Sequence, residues 1–200
     1  MAFTMPASLN SSWHTPTWHP PALLLCALLW LSPALQAEGF HIGEMKVRLQ
    51  DQLYLLDANI YFDFTGDAAA ALVNGVPLTI QITIHIERPR RWWWNNRLVT
   101  LEQRLSLQYH ALSEQYLVQN LNSGARYAFH SPQAAMHALG WMRDFPLLDA
   151  QLLEQGEEHL LRMQAQLDIE SLPSPLRPIA YISASWRRNK SGWYQWSFTP

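Results

Sequence analysis

Residues 78–94 read LTIQITIHIERPRRWWW. Leu78, Ile80, Ile82, Ile84 and Ile86 alternate with Thr79, Gln81, Thr83, His85 and Glu87, the period-two pattern of a strand with one dry face and one wet face. The strand runs into Pro89, three arginines and three consecutive tryptophans. A sheet element is therefore expected to carry a cationic, aromatic cluster to one end of the molecule.

Downstream, Val99, Leu101, Leu105, Leu107, Tyr109 and Ala111 alternate with polar residues, which makes this segment the hairpin partner. A tight turn at Asn95-Asn96 pairs Ile86 with Leu105, Ile84 with Leu107 and Ile82 with Tyr109, and sets Glu87 opposite Arg104. Any register of the same parity keeps the faces matched. Upstream, residues 40–49 alternate loosely, and Tyr54, Leu56, Ala58, Ile60, Phe62 and Phe64 line one face of a second strand. Thr65 is placed to cap a short helix through residues 68–73, which Asn74-Gly75 ends.

Residues 116–121 and 125–129 read as another hairpin around Asn122-Ser123-Gly124. Ser131-Pro132 starts a second helix and Gly140 stops it. Leu161, Met163, Ala165, Leu167 and Ile169 give a further strand. Pro173, Pro175 and Pro178 are expected to hold the next segment extended, and residues 179–186 and 193–198 to close the fold as a last hairpin. The fold class expected is mainly β (α+β): an antiparallel β-sandwich-like sheet of seven to nine strands with two short helices.

Residues 22–31 form an apolar run of signal-peptide length, followed by Pro33 and by a small residue at Ala37 suited to cleavage. Residues 1–37 are therefore expected to be a signal peptide and 38–200 a single domain, exported to the periplasm. A membrane anchor needs a longer run, and Cys26 lies inside the run rather than after it, where lipid attachment would place it. Cleavage would remove Cys26, the only cysteine, so the mature chain would be held by its core without disulfides. A formal net charge of -2 argues against nucleic acid as a partner.

Several segments together resemble a known family: LDANI from Leu56, NGVPL from Asn74, LQYHALSEQYLV from Leu107, LDIESLPSPLRPIAYISASW from Leu167 and SGWYQWSF from Ser191. They are similar to the bacterial exported proteins grouped as domain of unknown function 4390, over nearly all of residues 38–200. The resemblance implies no catalytic position. It suggests, through gene neighbourhood, a contact with the extracytoplasmic part of a membrane histidine kinase sensor of nitrogen regulation.

The cluster Arg88, Arg90, Arg91, Trp92, Trp93 and Trp94 admits four roles: a partner hot spot, a sugar-stacking platform, a peripheral membrane contact, or a cap on the sheet's own core with arginines stacked on indoles. His41, His85, His110, His130, His137 and His159 have no metal-binding spacing and read as solvated strand or loop residues. In the expected register His85 faces Ser106 and His110 faces Gln81. No nucleophile elbow, Ser-x-x-Lys pair or phosphate loop is present. Asp57, Asp63 and Asp168 are the carboxylates from which a glycosidase-like pair would be drawn.

The reading is an envelope binding or accessory protein without catalytic activity, without a cofactor or metal. The alternatives are a small-molecule or lipid carrier and a hydrolase acting on a cell-wall polymer. A large apolar hollow would favour the carrier. An exposed Trp/Arg patch would favour the partner module, and three convergent polar side chains in a cleft the hydrolase.

Overall fold

The computed structural model describes residues 39–89 and 96–200; the expected signal peptide and its Cys26 lie outside the described residues. The described residues form nine strands and four short α-helices, in two antiparallel sheets. A three-stranded sheet has the order β1-β2-β7, from β1 (His41–Gln50), β2 (Leu53–Tyr61) and β7 (Trp141–Asp149). A six-stranded sheet has the order β6-β5-β4-β3-β8-β9, from β3 (Leu78–Arg88), β4 (Asn96–His110), β5 (Gln115–Asn120), β6 (Arg126–Phe129), β8 (His159–Leu167) and β9 (Tyr194–Phe198). Helix α1 (Gly66–Val73) follows β2, α2 (Pro132–Gly140) follows β6, and α3 (Arg177–Ile182) and α4 (Ala184–Arg187) precede β9. No helix among the described residues is long and apolar enough to cross a membrane.

Strand β3 holds the centre, hydrogen-bonded to β4 on one side and β8 on the other. Leu78, Ile80, Ile82, Ile84 and Ile86 are fully buried, which at about 2 kcal/mol for each aliphatic side chain gives an upper bound on the order of 10 kcal/mol. The face of β2 read from sequence is also the buried one: Tyr54, Leu56, Ala58, Ile60, Phe62 and Phe64 all enter a single core with the β3 row. Asp51 and Gln52 both have positive φ, as the tight β1–β2 turn requires.

Two helices are fixed by tertiary contacts that local sequence does not reveal. Thr65 precedes α1 but its side chain makes no cap. Instead, the Asp67 N–H donates to Ser185 Oγ at 2.9 Å, Ser183 Oγ donates to Asp67 Oδ2 at 2.9 Å, and the Thr65 N–H reaches Asn189 Oδ1 at 3.3 Å. The far end of α1 closes as expected, with the Gly75 N–H on the Leu72 carbonyl, the Val76 N–H on that of Ala71, and Gly75 at φ +81. Ser131 caps α2, its Oγ accepting from the Ala134 N–H at 3.0 Å. A Cβ at Gly140 would lie 1.8 Å from the Ile60 carbonyl oxygen, so only glycine lets the end of α2 press on β2.

Five expectations need correction. The β3–β4 hairpin pairs Ile86 with Val99, Ile84 with Leu101 and Leu78 with Leu107, and Glu87 with Arg97 across a bulge. Parity is kept but the register is displaced by six residues, because alternation constrains which face is buried and not the turn length; Asn96 accordingly opens β4 rather than forming the turn. The last hairpin is absent: residues 179–186 fall in α3 and α4, and β9 pairs with β8. The prolines do not hold their segment extended either, since Pro178 sits in the first turn of α3, where a missing N–H costs nothing. Strand β7 was not anticipated, because bulges and Pro146 break its alternation and bury the neighbours Leu147 and Leu148 together. Ile169 lies in a 3-10 turn beyond β8.

Gly140→Ala is expected to destabilise by about 1–3 kcal/mol or more through forced displacement of α2. Gly192→Ala, where an added Cβ meets nothing within 4 Å, should leave the urea midpoint almost unchanged. Equal midpoints for the two variants would contradict the close approach.

Candidate binding site

Of the six residues expected to form the contact cluster, Arg90, Arg91, Trp92, Trp93 and Trp94 lie outside the described residues. Arg88 is engaged within the domain: its Nη2 is 2.7 Å from Glu154 Oε1 and its Nε 3.2 Å from Glu157 Oε2. Beneath this end of the hairpin the nominally wet face of β3 is covered. Glu87 is buried, with Arg162 at 3.6 Å, Arg97 at 3.8 Å and His85 at 3.8 Å. The Trp193 ring lies 4.9 Å from that of His85, and the Arg162 guanidinium stands 4.9 Å from the same indole.

His85 is thus not a solvated strand histidine, and it faces Thr100 and Arg162 rather than Ser106. Burial, with the nearby Arg97 and Arg162, lowers its pKa from the ordinary value, and Glu87 only partly opposes this. His159 is fully buried as well, its Nδ1 2.9 Å from the Glu157 carbonyl oxygen. His41, His110, His130 and His137 are exposed, and Gln81 pairs with Arg104, not with His110. No three histidine or acidic side chains among the described residues come together to hold a metal ion.

The three carboxylates occupy separate surroundings. Asp57 Oδ2 accepts from Arg48 Nε at 3.3 Å, and its Oδ1 from the Asp144 N–H at 2.9 Å. Asp168 takes hydrogen bonds from Ser171 Oγ and from Arg104 Nη2, the latter at 2.6 Å. Burial would raise the Asp168 pKa, but these bonds outweigh it and hold the carboxyl below its usual range. Asp57 borders a small polar hollow with Lys46 and Arg143, and Asp63 borders a larger, apolar one.

An open cleft of about 560 Å³ lies between α1 and α2, over the end of β2. Ala69, Leu72 and Val73 form one wall, Pro132, Met136 and Gly140 the other, and Ile60, Phe62 and Phe64 the floor. The walls stand where they do because α1 is capped from residues 183–189 and α2 is pressed onto β2 through Gly140. Phe40 packs edge-on against both floor rings, with centroids 4.9 and 5.2 Å away. At the rim Tyr61 is 60% exposed and Trp141 50%.

Trp141 also belongs to an exposed aromatic and cationic surface. The Arg143 guanidinium lies 3.5 Å from its ring centroid, and the His137 ring 4.9 Å away. Arg143 is held in place by the Ala58 carbonyl at 3.0 Å and by Asn59 Oδ1 at 2.7 Å. A Trp/Arg surface therefore exists on β7, in the three-stranded sheet rather than on the hairpin where the sequence suggested one. Its signal is the Trp-x-Arg spacing of residues 141–143, which puts both side chains on one face of a strand, and which is hidden by the irregularity of β7.

The lowered pKa of His85 has a definite sign. Below its ordinary value of 6.5 the unfolded chain takes up a proton that the folded chain resists, so stability is full above that value and falls as pH drops toward the folded-state pKa. His85→Gln should flatten the decline in the urea midpoint on acidification below about pH 6.5; an unchanged slope would contradict the assignment.

Neither a curated protein nor a solved structure matches the chain. A family model does, over residues 37–197, which include both sheets, all four helices and the cleft. The chain thus belongs to the family described as Domain of unknown function (DUF4390).

Proposed function

We propose that this protein is an exported, periplasmic binding or accessory protein without catalytic activity, and that the cleft between α1 and α2 is where it binds. The observation that carries this reading is the open apolar hollow of about 560 Å³ bordered by Tyr61 and Trp141, with Arg143 stacked on the indole. A hollow of that size falls within the range of about 300–1,000 Å³ usual for ligand sites. Trp, Tyr and Arg beside an apolar pocket are the residue types that dominate binding energy at contacts, because they bury large area at small entropic cost.

The carrier reading gains support from the same hollow, and the two are compatible: the cleft takes an apolar group, and the Trp141–Arg143 surface beside it meets a partner. The partner proposed, from the family resemblance, is the extracytoplasmic part of a membrane histidine kinase sensor. The 90–94 segment remains a second proposed contact.

The test is site-specific photo-crosslinking in the envelope followed by mass spectrometry. A crosslinker at Tyr61 should recover the sensor as a consistent neighbour, and Trp141→Ala should reduce that recovery about tenfold, as loss of a hot-spot residue does. A crosslinker at Leu152, 65% exposed beyond the far end of β7, should not recover it. No consistent neighbour from Tyr61, or the same neighbour from Leu152, would overturn the proposal.

A further inference from the structure

The cleft is apolar in shape but not neutral in its electrostatics. Five aromatic side chains line it, Tyr61, Phe62, Phe64, Tyr116 and Trp141, together with one carboxylate, Asp63. Among the described residues no lysine or arginine lines it, and Asp63 forms no ion pair. Ring faces carry the negative side of the aromatic quadrupole and attract cations. At the same mouth Asp63 adds a carboxylate without an ion-pair partner among the described residues.

We infer that the cleft takes an organic cation with an apolar body, a protonated or quaternary amine carried on an aliphatic or aromatic frame. This rests on the reading of the cleft as the binding site and adds the class of its ligand. The body displaces water from Leu72, Val73 and Met136, and the amine lies at the rim against aromatic faces and Asp63. A carboxylate on the same frame meets the reverse: the Tyr61 and Tyr116 rings and Asp63 repel it, and the guanidinium beside the cleft, Arg143, is already engaged by the Trp141 ring, the Ala58 carbonyl and Asn59 Oδ1.

The experiment is calorimetric titration of the full chain at pH about 8 with decyltrimethylammonium and with decanoate, both below their micelle concentrations. Decyltrimethylammonium should bind about tenfold more tightly than decanoate. Asp63→Asn, at an exposed position, should fold normally and narrow that gap to about threefold or less. Met136→Trp, which fills the cleft, should abolish saturable binding of both. Decanoate binding as tightly as the cation, a gap untouched by Asp63→Asn, or no saturable binding of either probe would overturn the inference. Cation selectivity without a crosslinked neighbour at Tyr61 would remove the partner and keep the ligand class; a neighbour without selectivity would do the opposite.

Discussion

The structure depends on the burial of the β3 row. Five aliphatic side chains at alternate positions of a strand paired on both edges give the six-stranded sheet its dry face and give the face of β2 something to pack against. Everything that builds the cleft is attached to that contact. Its floor is the continuation of β2 through Phe62 and Phe64, and α2 reaches β2 at the one position, Gly140, where a side chain would collide with backbone. Loss of the β3 row would therefore remove the cleft without touching any residue that lines it.

The outer face of β3 shows a second constraint. Glu87 and His85 are buried on the side that alternation marks as wet, beneath Arg162 and Trp193. Two guanidiniums near one buried carboxylate offset its desolvation, and the same guanidiniums add to the burial that lowers the His85 pKa. The chain between β8 and β9 makes this cover possible, because Ser191 Oγ accepts from the Ala165 N–H at 2.9 Å and Gln164 donates to the Ser191 carbonyl. A face that is polar by composition thus becomes an interior through a segment far along the sequence.

The legible parts of the fold are those where every second residue is apolar and buried without interruption. Four inward residues of β2 with Phe62 and Phe64 beyond it, and the five of β3, are read correctly because alternation and burial coincide there. The hairpin register is not legible, since a shift by an even number of residues preserves every face and the deciding bulge at Glu87 leaves no pattern. Strand β7 escapes because its bulges and Pro146 put Leu147 and Leu148 side by side in the core. Residues 179–186 mislead because a proline-bearing segment that cannot be a central strand can still begin a helix. The site shares these failings: Trp141 and Arg143 lie on the illegible strand, and the cleft is a product of two helices whose relative placement is set by serines more than a hundred residues from the helix they cap.

That distant cap has a bearing on when the cleft comes into being. The N-terminus of α1 is anchored by Ser183, Ser185 and Asn189, so a nascent chain that has reached only β8 has both sheets under construction and one wall of the hollow still unmoored. Until the tail of the polypeptide arrives to lock the first helix in place, the site stays blank, for one of its two walls has no anchor.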